Sequence, residues 1–115
     1  MAKLLVLINS GPRDSAKAVA GLAFARVAKD SGRLEDVKAC FFAEGVELLS
    51  AASLPTYARY VDALIERGVF LMACQAHAES QGIADEIRGL SGVDLHYVGE
   101  DLISAVAEGY EVISF

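Results

Sequence analysis

Apolar residues fall in short unbroken runs, separated by stretches where they recur every three or four positions. The first run, Lys3 to Ile8, has the length and continuity of a strand buried on both faces. It stops at a turn cluster, Asn9-Ser10-Gly11-Pro12, after which Asp14 or Ser15 can cap a helix to about Asp30. Val19, Leu22, Ala23, Phe24 and Val27 supply that helix's apolar faces, and Ser31-Gly32 ends it. A second strand is predicted over Val37 to Phe42, then a turn at Ala43-Glu44-Gly45 and a short helix over Val46 to Ala52. Pro55 opens a helix to about Arg67, with Tyr57, Tyr60, Val61, Leu64 and Ile65 at helical spacing and Gly68 closing it. Val69 to Ala73 is a third apolar strand. Ala78 to Leu90 reads as one helix with Ile83, Ile87 and Leu90 on one side. Leu95 to Val98 is a short fourth strand, Glu100 to Glu108 a helix, and Glu111 to Phe115 a last strand.

Strands alternating with helices, and strands apolar throughout, predict an α/β protein. The expected fold is a three-layer α/β/α sandwich around a five-stranded, mainly parallel sheet, in a single domain over residues 1–115. No linker, repeat or low-complexity segment interrupts it. Hydrophobic residues make up 54% of the chain, enough for a full core and rich enough that some are expected between subunits.

The formal net charge of −6 disfavours nucleic acid as the main ligand. No apolar stretch approaches the ~20 residues of a membrane helix. The opening apolar run is too short for a signal peptide and is followed at once by Asn9 and Ser10. The expected location is therefore cytoplasmic, without a membrane partner. In that compartment Cys40 and Cys74 are expected as free thiols. With His77 and His96 as the only histidines, no spacing suggests a metal site.

Ligands in open parallel sheets sit beyond the carboxyl ends of the strands. That rule nominates the loops Asn9 to Asp14, Ala43 to Glu47, Cys74 to His77 and Gly99 to Asp101. The sharpest chemistry among them is Cys74, which follows the third strand and precedes a helix, where backbone N–H groups favour a thiolate. His77, three residues on, is a candidate to lower the thiol pKa, whereas Glu44, Glu47 and Glu79 would oppose it if near. The bland alternative makes Cys74 a small buried hydrophobe. Cys40, between Ala39 and Phe41 within a strand, takes that bland reading. Asn9, Ser10 and Gly11 with Arg13 could hold an anion, with Glu44 and Gly45 in the neighbouring turn, although a capped helix start explains the same residues. The loop lacks the second Gly followed by Lys and Ser or Thr of a Walker A motif. His96, in a short strand, reads as structural.

Familiar thiol enzymes are excluded by what is missing. A tyrosine-phosphatase loop needs Arg six residues after its Cys, and this chain has Ser80. A rhodanese loop closes with an arginine, and Gln75 to Gln81 contains none. A thioredoxin needs a second Cys at position 77, which is His, and a receiver domain needs Asp where Cys74 stands.

The chain resembles the DsrE family of sulfur-transfer proteins over nearly its whole length. The opening strand and polar turn lead into a helix starting with Asp14, Ala16, Lys17 and Ala18. Phe41-Phe42-Ala43-Glu44-Gly45-Val46 is similar to the family's aromatic strand and acidic-Gly-Val turn. The third strand with Cys74, then Gly82-Ile83, is similar to its strand–cysteine–helix segment. At one position the chain departs, with Gln81 where many members carry Arg before the Gly. The resemblance implies a three-layer fold, assembly of copies into trimers or hexamers, and a cytoplasmic sulfur relay between donor and acceptor proteins. It also implies that Cys74 accepts sulfane sulfur as a persulfide.

Three functions follow as expectations. A sulfur carrier with Cys74 as persulfide site and His77 as modulator needs no metal, no organic cofactor and no resolving cysteine. A non-catalytic homo-oligomeric module, binding a small ligand or a protein through the same loops, would leave Cys74 inert. A peroxidase-type thiol enzyme would form a sulfenic acid at Cys74 and need an external thiol, because Cys40 is expected out of reach.

Overall fold

The apolar runs pair side by side. The computed structural model describes residues 1–115 and contains one sheet, ordered β4-β3-β2-β1-β5. Its strands are β1 (Lys3–Ile8), β2 (Asp36–Phe41), β3 (Phe70–Cys74), β4 (Val93–His96) and β5 (Tyr110–Ser114). Every neighbouring pair is parallel, with β1 at the centre between β2 and β5. The helices are α1 (Ser15–Asp30), α2 (Leu54–Glu66), α3 (Gln75–Ser80), α4 (Ala84–Arg88) and α5 (Gly99–Ala107). The fold is the α/β sandwich that the alternation of elements predicts.

From β1 to β4 the chain steps one strand at a time in one direction, so right-handed crossovers put α1, α2, α3 and α4 on one face. The connection from β4 to β5 runs back to the opposite edge, and α5 therefore lies on the other face alone. Packing agrees with this. A Cβ placed on Gly21 of α1 would stand 2.6 Å from Ile8 Cδ1. On the other side, Lys38, Met72 and His96 of the sheet line a cavity together with Asp101, Ser104 and Ala105 of α5.

Side chains alternate along each strand, so the register sorts them by face. Val6, Ile8, Ala39, Phe41 and Ala73 point toward the four helices and are fully buried. Lys38, Cys40, Phe70, Met72, Cys74, Asp94 and His96 point toward α5.

The expected single helix over Ala78 to Leu90 is two helices. Gly82, at φ +74°, follows α3 in the left-handed region that only glycine enters without strain. Ile83 N–H donates to Ala78 O at 2.9 Å and Gly82 N–H to Glu79 O at 3.0 Å, which closes the helix as a Schellman motif. The apolar spacing of Ile83, Ile87 and Leu90 continues past this break, which is why periodicity alone reads through it. The short helix expected over Val46 to Ala52 is a 3₁₀ segment, Ala43–Leu49. The fourth strand lies two residues earlier than expected and ends at His96. No helix is long and apolar enough to cross a membrane.

Candidate functional site at the carboxyl ends of the strands

Cys74 is the last residue of β3 and directly precedes α3. Its φ of −72° and ψ of 109° keep it extended, so its side chain still follows the strand's alternation and faces α5. It is 5% exposed. At six residues α3 is under two turns long, so the field at its start comes from a few N–H groups rather than a long macrodipole. Cys40 is fully buried, and burial pushes its thiol up to about 12, with the charges of Cys74 and Asp101 adding to the rise. Its strand partner is Met72, two residues short of Cys74. Strand geometry then separates the two cysteine Cα atoms by roughly 8 Å, beyond the usual disulfide range. Both are free thiols.

His77 turns toward the second loop. Its Nδ1 accepts the Ala43 N–H at 2.9 Å, and its ring meets Phe42 edge-on with centroids 4.5 Å apart. Gln81 Nε2 donates to Ala43 O at 3.0 Å. Two side chains from the cysteine segment thus hold both polar groups of Ala43, a non-glycine residue at φ +49°. Such a conformation persists where its surroundings fix it. The accepted bond fixes the neutral tautomer of His77 with its proton on Nε2.

The first and second loops press against each other. A Cβ on Gly45 would fall 1.9 Å from Ile8 O, and one on Gly11 would fall 2.5 Å from Glu44 O, so both positions need glycine. Asn9 and Ser10 donate their N–H groups to Phe115 O at 2.7 and 3.2 Å, which ties the loop to the end of the chain. Asn9 Oδ1 and Gln81 Oε1 are buried without a hydrogen-bond partner. Arg13 pairs with Glu47 at 2.9 Å and Glu44 at 3.7 Å, and the bond and charge of Glu47, with Glu44, hold its guanidinium above the usual range. The cation expected to assist an anion in this loop is therefore neutralised by two carboxylates.

The sequence drew attention away from His96. In the structure it is the in-register neighbour of Cys74 across β3 and β4, on the same sheet face. Its Nε2 bonds Asp101 Oδ2, and its Nδ1 lies 3.3 Å from Asp94 Oδ1 without a hydrogen bond. Burial lowers the imidazole pKa, but the bond and charge of Asp101, with Asp94, raise it more, and the net shift is upward. A His followed five residues later by Asp at a helix start is the only sequence trace of this pair. The pair walls a cavity of about 460 Å³ also lined by Lys38, Phe70 and Met72. No group of three or more His, Cys, Asp or Glu side chains is arranged to hold a metal ion.

Residues 2–115 match the profile of the DsrE/DsrF-like family. The chain belongs to that family. Its fold is shared with the ychN protein from E. coli, at a TM-score of 0.82 and 18% identity over 100% of both chains. It is similar to the protein of unknown function MTH1491 from Methanobacterium thermoautotrophicum, at 0.77 and 22% over 100% of both chains. It also resembles the conserved protein of unknown function BT1422 from Bacteroides thetaiotaomicron, at 0.77 and 21%, covering 98% of this chain and 94% of that one. No curated protein is a significant match. At these identities the neighbours speak for the fold of this DsrE-like chain, not for its chemistry.

Proposed function

We propose that this chain is a cytoplasmic sulfur carrier that holds sulfane sulfur as a persulfide on Cys74. The observation that carries the reading is the position of Cys74. It ends an interior strand of a DsrE-like sheet, at the rim where three loops meet. The Cys74 sulfur attacks the outer sulfur of a donor persulfide. A new S–S bond forms at Cys74, the donor's S–S bond breaks, and the donor leaves as a thiol. An acceptor thiol then takes the outer sulfur and Cys74 returns to its thiol. Both steps are thiol exchanges without net redox change, so no cofactor takes part.

His77 enters this reading through Ala43 rather than as a free imidazolium, because its Nδ1 is occupied. Asn9, Ser10, Gly11, Arg13, Glu44 and Gly45 belong to the loops at this rim, and of them the exposed Arg13 and Glu44 are where a donor or acceptor would rest. Assembly of copies, as a trimer or hexamer, is part of the proposal. Ile103 and Val106 on α5 are 65% and 61% exposed, and Phe70 and Val112 on the same side of the sheet are also exposed. Such apolar area on so small a chain is what subunit contacts cover.

The near-complete burial of Cys74 favours a second reading, a non-catalytic binding module built on the same loops. Intact-protein mass spectrometry after exposure to a persulfide donor separates the two. The carrier gains one sulfur atom that maps to Cys74 and is absent in Cys74→Ser. No gain, with Cys74 also unreactive to alkylation in the folded protein, leaves the binding module.

A further inference from the structure

We propose that His96 is the proton acceptor and donor for the Cys74 thiol, and that Asp101 is the positioning residue that orients it. The inference concerns the chemistry of the same cysteine and rests on the carrier reading above. Three observations carry it. Cys74 and His96 are register partners on adjacent parallel strands, so their Cα atoms lie about 5 Å apart and their side chains share one face. Asp101, from the first turn of α5, bonds Nε2 of the ring and thereby places the neutral imidazole's proton there. That leaves Nδ1, which is buried and makes no hydrogen bond, as the basic nitrogen.

A histidine anchored through one nitrogen to a carboxylate, on the same sheet face as a thiol, activates that sulfur once its second nitrogen comes within hydrogen-bond reach, and here that nitrogen makes no hydrogen bond in the resting chain. The groups around the ring favour a proton in transit. Asp94 on β4 lies 3.3 Å from Nδ1 and stabilises the imidazolium once Nδ1 is protonated. Lys38 on β2, with its ammonium 4.9 Å from the Tyr110 ring centroid, and Glu108, just past the end of α5, share the cavity at a greater remove from Cys74. Cys40, the other titratable group on this face, keeps its proton well above neutral pH.

The exchange balances without an outside reagent. His96 Nδ1 takes the Cys74 proton, the thiolate attacks the outer sulfur of the donor persulfide, and the donor's S–S bond breaks. The departing thiolate takes the proton back from His96. Cys74 ends as a persulfide, the donor as a thiol and His96 as neutral imidazole.

The test is the rate of Cys74 alkylation by iodoacetamide between pH 6 and 9.5, in the full chain and in His96→Gln, Asp101→Asn and Asp101→Glu. Far-UV circular dichroism serves as the check on folding. The expected result at pH 7 is a loss of about tenfold in His96→Gln. Asp101→Asn should lose less, and Asp101→Glu should stay near the parent. The gap should close above about pH 9, where a thiol ionises unaided. A folded His96→Gln protein with the parent's rate and profile overturns the proposal. Loading from glutathione persulfide, followed by mass spectrometry, separates this failure from that of the carrier reading. Equal loading rates in the parent and His96→Gln sink the histidine's role and leave the carrier intact. No loading in the parent, with alkylation still dependent on His96, sinks the carrier and leaves the proton partner.

Discussion

The two faces of the sheet are built to different specifications. The face under α1, α2, α3 and α4 is aliphatic and aromatic, and Val6, Ile8, Ala39, Phe41 and Ala73 are sealed completely. The face under α5 carries both cysteines, His96, Asp94 and Lys38, and one nine-residue helix covers it. Topology is the cause. Three successive crossovers in one direction stack their helices on one side, and only the return from β4 to β5 places a helix on the other. The titratable chemistry thus collects on the α5 face, whereas buried core residues and exposed apolar side chains occur on both, with Phe70, Val112, Ile103 and Val106 exposed on the α5 side and Val27 and Ile113 on the other.

The sharpest way to break this comparison is to remove the same side chain from each face. Phe41→Ala empties a fully buried position on the sealed face and should cost about 4 kcal/mol. Phe70→Ala on the open face removes a ring that is 43% exposed and should cost less than about 1 kcal/mol. Urea unfolding of the two variants at low protein concentration measures both. Similar losses would show that the α5 face is covered in solution, which is the outcome an oligomer predicts and which should then fade on dilution.

A smaller effect is expected where the faces meet at the rim. His77→Ala deletes the acceptor for Ala43 N–H and the edge-on contact with Phe42. Leaving that half-buried N–H unpaired at a left-handed residue should cost about 2 kcal/mol. The combined variant His77→Ala with Ala43→Gly should recover part of this, because glycine adopts φ +49° without strain. A denaturation series that shows no recovery would mean that His77 holds the loop through Phe42 alone.

The sealed face was legible in the sequence and the open face was not, for a physical reason. Unbroken apolar runs such as Leu4 to Ile8 and Phe70 to Ala73 announce interior strands, and their order with the helices determines the α/β class. Cys74 could be nominated because a position at a strand's carboxyl end follows from local pattern. His96 could not, since its meaning lies in pairing with Cys74 across twenty-two residues of chain, and register is a tertiary property. His77 was nominated the other way, from nearness alone. Nearness in sequence suggested a partner for Cys74, whereas the turn of α3 carries its ring to Ala43. The break at Gly82 was hidden because Ile83 and Ile87 kept the helical spacing across it.

The smallest expected effect reads the open face through pH. The carboxylates of Asp101 and Asp94 raise the His96 pKa in the folded chain above its unfolded value near 6.5. A raised base stabilises the fold when protonated. The contribution is therefore complete below about pH 6.5 and is lost as pH rises through the higher folded value. The ring is partly exposed and Asp101 about half exposed, so solvent screening limits the change to less than about 1 kcal/mol. Melting temperature followed from pH 6 to 8.5 should drift downward in the parent, and Asp101→Asn should flatten much of the slope. Added salt should shrink the drift as well. A parent that gains stability over this range would mean that Asp101 and Asp94 do not stabilise the protonated ring.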